Sequence, residues 1–158
     1  MPSTKDFSKE LTFRPVVEKD SHFIYSLKKL TLKQYVEQTW GSWDEEFQVA
    51  RHNQVFSPEE FEIIQYKGKD IGVLKTQEND ESVEIDIIEI LPKYQNNGFG
   101  SFLLQNIINS SFQKHKLVSL QVLKVNSKAI QLYKHLGFRI ISETQTHLLM
   151  NLIFKETE

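Results

Sequence analysis

Three groups of residues in this 158-residue chain have the types and spacings that chemistry requires. The first is Gln95-Asn96-Asn97-Gly98-Phe99-Gly100, which follows Pro92 and leads into Ser101 and an apolar run suited to a helix. The first turn of a helix leaves backbone N–H groups without intrahelical partners and carries about half a positive charge, so phosphate binds there. Gly98 and Gly100 lack a Cβ, which lets the main chain turn sharply and an anion approach the amides. A plain turn accounts for Asn96, Asn97 and Gly98 as well. A dinucleotide fingerprint would need a small residue at Leu103, and a P-loop would need Lys then Ser or Thr where Ser101 and Phe102 stand, so both are excluded.

The second group is Glu84, Asp86 and Glu89 on the strand that leads into the loop. Period two puts Glu84 and Asp86 on one face and Glu89 on the other, unless a bulge intervenes. Neighbouring carboxylates on an apolar strand raise one another's pKa, which suits a general base; a solvated sheet face is the plain alternative. Glu89 is left as structural or substrate-facing. The third group is Asn126 and Tyr133. They lie seven positions apart, near the same side of a helix whose Ala129, Leu132, Tyr133 and Leu136 make one apolar face. Asn126 as a cap, Gly137 as a C′ glycine and Tyr133 as a core aromatic would satisfy that helix without any function.

Two segments together narrow these readings. Gln95, Gly98 and Gly100 match Q/R-x-x-G-x-G/A, and LVSLQVLKVNSKAIQLYKHLGFRII follows with strand, Asn, small residue, Tyr and Leu-Gly-Phe in order. Over residues 70 to 142 the chain resembles the GNAT family of N-acetyltransferases. The resemblance implies an α/β GNAT fold: a mixed, mostly antiparallel sheet of about seven strands flanked by helices, with a parallel strand pair at the central splay. It implies acetyl-CoA as cosubstrate, held by Ile90, Leu91, Gln95, Asn96, Asn97, Gly98, Gly100, Ser101, Asn126 and Tyr133. It further implies direct attack of a primary amine on the thioester in a ternary complex, with Tyr133 protonating the thiolate.

An alkylammonium has a pKa of roughly 10 and must lose a proton before it attacks. Family members place a base or a water-holding carboxylate at the positions of Glu84 and Asp86. The resemblance also implies that main chain at Ile90 and Leu91 pairs with the pantetheine arm like an added strand. One amide near Ile90 would polarise the thioester carbonyl. The family often has Arg at the position of Gln95 and a basic residue inside the loop. This loop has no charge, and Lys93 is the nearest cation, so backbone amides and the helix dipole would do the binding.

The elements that must position these groups are legible from period and punctuation. Leu11 to Val16 reads as a strand. Asp20-Ser21 reads as the cap of a helix with Phe23, Ile24, Leu27 and Leu30 on one face, which Gly41 ends. Ser42 reads as the cap of a second helix with acidic residues in its first turn, and Ser57-Pro58-Glu59-Glu60 as a single turn. Phe61 to Tyr66, Asp70 to Lys75 and Ser82 to Ile90 read as an antiparallel meander. Gly98 to about His115, Leu117 to Leu123 and Asn126 to Leu136 read as helix, strand and helix, a parallel crossover beside the meander. Phe138 to Ile141 and Thr146 to Phe154 close the chain as a hairpin.

Composition fits one globular domain over residues 1–158 with a real core. A net charge of -2 argues against nucleic acid as a partner. The absence of Cys rules out disulfides, thiolate zinc sites and a cysteine nucleophile, and no histidine pair has metal spacing. No G-x-S-x-G elbow exists. The polar MPSTKDFSKE start shows no signal peptide and no apolar run reaches membrane length, so the expected location is the cytoplasm, as monomer or homodimer. Tyr35, Trp40, Trp43, Asp44, Glu45 and Glu46 lie where the family builds its pocket for a small-molecule or peptide amine acceptor, with Arg51 and His147 in reach. Aromatics beside carboxylates suit a cation, although tryptophans packed on a sheet behind an acidic edge explain them too. The competing class is a non-catalytic GNAT-fold module that binds CoA or a partner.

Overall fold

The structure, a computed structural model, describes residues 5–155. The ends of the expected domain, 1–4 and 156–158, lie outside the described residues. The chain runs β1 (Leu11–Pro15), α1 (Ser21–Trp40), α2 (Glu45–Val55), β2 (Glu62–Tyr66), β3 (Lys69–Glu78), β4 (Ser82–Ile90) and α3 (Phe99–Gln113). It continues through β5 (Leu117–Leu123), α4 (Ser127–His135), β6 (Arg139–Glu143) and β7 (His147–Leu152). These strands form a seven-stranded sheet in the order β1-β2-β3-β4-β5-β7-β6, antiparallel throughout except at β4 and β5.

The parallel pair is short. It runs from Ser82 opposite Leu117 to Ile85 opposite Leu120, after which β4 and β5 part, while β5 stays paired with β7 as far as Leu123 opposite His147. Beyond Ile85 the β5-facing backbone of β4 has no strand partner among the described residues.

A bulge sits at the same place. Lys75 pairs with Ile87 and Thr76 with Ile85, which leaves Asp86 without a partner. The partners of Glu84, Ile87 and Glu89 are Gln77, Lys75 and Val73, alternate residues of β3 and therefore on one face. Strict alternation expects Glu89 on the face opposite Glu84; the bulge reverses this and puts both toward α1.

Both faces of the sheet are covered. On one, Leu104 and Ile108 of α3 pack on Ile85, Val118, Leu120 and Met150, with Leu132 and Tyr133 of α4 against them. On the other, Ile24 and Leu27 of α1 pack on Ile63 and Val73, joined by Ile87. Each fully buried side chain of this size contributes about 2 kcal/mol, so α1 is fixed chiefly by these two.

Three local expectations are corrected. Leu30 is 61% exposed and leaves the inner face of α1, where Tyr25 is buried instead. Asp20 does not cap α1: its carboxylate accepts from Val17 N–H at 2.9 Å and pairs with Arg14, which also reaches Asp70 at 2.8 Å. Asp44, not Ser42, caps α2, accepting from Phe47 N–H at 3.0 Å. Gly41 ends α1 as expected, in a left-handed conformation at φ 96°. Pro58–Glu60 makes one 3-10 turn, also as expected.

Candidate active site

The diverging strands leave a wedge, and four segments converge on it. At the end of β4, Leu91 N–H still bonds to Ile71 O at 2.8 Å, so the strand is held on its β3 side while its other side is open. The chain then makes a 3-10 turn over Pro92–Tyr94 and enters the glycine loop.

Two residues of that loop hold positive φ: Asn96 at 64° and Gly98 at 89°. Asparagine and glycine are the residues that tolerate this region. Gln95 spends its side chain internally, donating from Nε2 to Ile90 O at 2.9 Å. It therefore ties the loop to the open end of β4. Among the described residues no side chain caps α3, so the N–H groups of Phe99, Gly100 and Ser101 keep their first-turn freedom to meet an anion. Phe7 supports the loop from outside, with ring centroids 4.6 Å from Phe99 and 5.6 Å from Phe102. A Cβ on Gly100 would come no closer than 3.9 Å to Leu132 of α4, so the space above Gly100 faces the second helix of the site.

On α4, Asn126 does what a cap does, accepting from Ala129 N–H at 3.2 Å. Tyr133 packs among the α3-side core, its ring 5.7 Å from Phe138. Burial pushes its hydroxyl up to about 12. It stays protonated at ordinary pH and is suited to give a proton, not to take one.

The α1 side carries the carboxylates. Glu84 is half-buried between Gln77 and Ser119, at the last part of the sheet where β4 and β5 still pair. Asp86, at the bulge, is exposed, and partial desolvation raises its carboxyl from its ordinary value, with Lys75 and Glu60 nearby. Lys75 also pairs with Glu60 at 3.0 Å, so Asp86 belongs to an ionic cluster over β3. Glu89 is the most enclosed of the three at 8% exposure, with Thr31 Oγ1 of α1 3.3 Å from Oε2. Burial raises its carboxyl to about 7. Glu84, Asp86 and Glu89 thus share the α1-facing side of β4, where alternation alone expects only the first two. A sequence signal for this existed: acidic residues at 84, 86 and then 89 switch from even to odd parity, which is the mark of one extra residue in a strand.

The expected acceptor pocket is only partly assembled. Trp40 lies against His147 with ring centroids 6.4 Å apart, joining the end of α1 to the start of β7. Trp43 instead donates to Glu45 Oε2 at 2.8 Å, Glu45 pairs with Lys29 at 2.9 Å, and Asp44 is used as a cap. Among the described residues no group of three His, Asp or Glu side chains could hold a metal ion. Also among them, no helix is long and apolar enough to cross a membrane.

The Acetyltransferase (GNAT) family model matches residues 24–138, and the chain belongs to that family. Solved structures share its fold at low identity. The PaiA N-acetyltransferase from Thermoplasma acidophilum, in complex with coenzyme A, is 16% identical with a TM-score of 0.72, covering 91% of this chain and 99% of its own. Arabidopsis thaliana Naa50, in complex with the bisubstrate analogue CoA-Ac-MVNAL, is 17% identical with a TM-score of 0.63, covering 92% and 99%. Spermidine N-acetyltransferase from Vibrio cholerae, in complex with CoA and spermine, is 22% identical with a TM-score of 0.64, covering 92% and 96%. The curated proteins yield no match to the sequence.

Proposed function

We propose that this chain, as one domain, transfers the acetyl group of acetyl-CoA to a primary amine, by direct attack in a ternary complex. The observation that carries this reading is the coincidence of three things at the wedge. An uncapped helix start behind a glycine loop can take a pyrophosphate. An unpaired strand edge can take an extended amide-bearing arm. A half-buried tyrosine that stays protonated sits on the facing helix.

In this reading the pyrophosphate rests on the amides of Gln95 to Ser101, with Asn96, Asn97, Gly98 and Gly100 shaping the cradle. Ile90 and Leu91 pair with the pantetheine arm, and Asn126 joins at the start of α4. An amide near Ile90 polarises the thioester carbonyl, and Tyr133 gives its proton to the departing thiolate. Glu84 and Asp86 hold the water through which the acceptor's proton leaves. Solved structures of the same fold hold coenzyme A together with spermine, or a bisubstrate peptide analogue, which supports an amine acceptor of small-molecule or peptide class.

The test is release of free thiol from acetyl-CoA with a panel of polyamines, amino acids and peptides bearing free N-termini. Amine-dependent release with at least one of them is the expected result. Tight acetyl-CoA binding with no release from any amine would favour a CoA-binding module instead.

A further inference from the structure

The acceptor-side wall of the wedge holds a carboxyl that the reaction as described does not use. Glu89 is 8% exposed, and its side chain accepts from one donor among the described residues, the Thr31 hydroxyl at 3.3 Å. The same hydroxyl also lies 3.0 Å from Leu27 O and 3.3 Å from Lys28 O, so Glu89 receives a share of one proton from it and no more. A carboxylate can accept about four hydrogen bonds. The buried side-chain atom left without any partner among the described residues is the Tyr25 hydroxyl, not an oxygen of Glu89, so the acceptor capacity that Thr31 leaves unused is not sealed away from an incoming donor. No ion pair within 4.0 Å satisfies Glu89 among the described residues. The charged groups that face it are Lys28 of α1, with Arg51 of α2 behind that lysine; β3 offers Val73, and Glu84 and Asp86 share its own strand.

Its place in the fold gives the vacancy a use. Glu89 immediately precedes Ile90, on the stretch of β4 that β5 has left, and faces the side opposite α3 and α4. Above it α1 touches β4 at Thr31 and reaches β7 at Trp40 beside His147, a span of about 14 Å along the helix. An amine that approaches the thioester from the α1 side must pass beneath that helix, next to the under-partnered carboxyl.

We propose that Glu89 is the group that binds the acceptor's ammonium and takes its first proton, with Thr31 as its positioning residue. The inference rests on the acetyl-transfer reading. The ammonium gives one proton to the Glu89 carboxylate, and the neutral nitrogen forms a C–N bond at the thioester carbon. The C–S bond breaks, Tyr133 protonates the sulfur, and the proton lost from nitrogen restores Tyr133. Glu89 then passes its proton to bulk solvent by way of the water at Asp86 and Glu84. The sum is ammonium plus acetyl-CoA giving amide, CoA thiol and one proton.

The experiment measures kcat against pH and acetyl-CoA affinity for the wild type, Glu89→Gln and Thr31→Val. The expected result is a loss of kcat of about a hundredfold or more in Glu89→Gln with acetyl-CoA affinity retained, together with loss of the acidic limb that the wild type shows near neutrality. Thr31→Val moves that limb to higher pH, since the hydroxyl favours the ionised carboxylate. Turnover of Glu89→Gln within threefold of wild type on an unchanged limb overturns the inference and leaves the acetyl-transfer reading standing. A wild type that binds acetyl-CoA but acetylates no amine overturns both. If Glu89→Gln does not fold, an unmoved limb in Thr31→Val overturns the inference by itself.

Discussion

The side-chain amide of Gln95 donates to the backbone carbonyl of Ile90 at 2.9 Å, so the first residue of the glycine loop is fastened to the last residue of β4. The bond fixes the distance between the strand edge and the helix start, which in the proposed reaction are the two sites that hold the cofactor. Gln95→Ala removes one net hydrogen bond, worth about 1 kcal/mol. Its expected effect is a rise of roughly fivefold in KM for acetyl-CoA, with KM for the amine unmoved, measured by initial rates.

The loop from Gln95 to Gly100 has no charged side chain, and Lys93 Nζ lies over the Tyr94 ring, 5.2 Å from its centroid. Binding by backbone amides and a helix dipole is short-ranged and gains little from distant lysines. Affinity for acetyl-CoA is expected to change by less than about threefold between low and physiological ionic strength, by titration calorimetry. A steep loss would point to a cation outside the loop.

Tyr133→Phe keeps the ring in the α3-side core and removes only the hydroxyl. CoA binding should be retained while kcat at neutral pH falls about a hundredfold. Because burial holds this hydroxyl up to about 12, the wild type should show no loss of rate from Tyr133 ionisation up to about pH 10. Unchanged turnover in Tyr133→Phe would remove it from the mechanism.

Gly72 lies across from Ile90, and a Cβ there would run into the backbone carbonyl of Glu89, with Ile64 and Ile90 also in tight contact. Backbone in a paired strand cannot swing aside as a flexible side chain can. Gly72→Ala should cost roughly 2–4 kcal/mol in urea unfolding, and surviving protein should bind acetyl-CoA poorly because the β4 edge is displaced.

Glu89 also predicts a pH dependence of stability. Its folded carboxyl titrates at about 7, above its unfolded value, so the folded state binds the proton more tightly. Its contribution is therefore fully present below the unfolded value near 4.5 and is lost as pH rises toward 7. Moving from pH 8 to pH 5 should strengthen the wild type by about 2 kcal/mol from this group, and Glu89→Gln should flatten that rise, by urea midpoints. Below about pH 4 the trend reverses, because Asp20 and Asp70, held low by Arg14, lose stability when protonated.

The sheet was legible in the sequence because its strands are short, rich in Ile and Val, and separated by Lys67-Gly68 and Glu78-Asn79-Asp80-Glu81. The glycine loop was legible because its spacing is chemical and local. What escaped was whatever depends on which neighbour packs or pairs with a residue in space. The facing of Glu89 turns on an extra residue in β4, which the parity switch between Asp86 and Glu89 signals and the register with β3 locates. The exposure of Leu30 follows from where α1 leaves the sheet, which helical period alone does not reveal. Asp20 looked like a cap because Asp before a helix usually is one; Arg14, six residues away on β1, took it instead. Glu45 and Asp44 looked like an acceptor's counter-charge and were already committed to Lys29, Trp43 and the α2 amides.

The parting of β4 from β5 leaves an exposed β edge inside the molecule, the kind of surface on which stray polypeptides add as strands and aggregation begins. Two features described above make that edge safe. The Gln95 amide blocks the carbonyl at its end, and α1, pinned at Thr31 and Trp40, lies across one side of it. The open stretch runs only from Asp86 to Ile90, which offers a stray strand few amides and, in the proposed reaction, gives a cofactor arm enough.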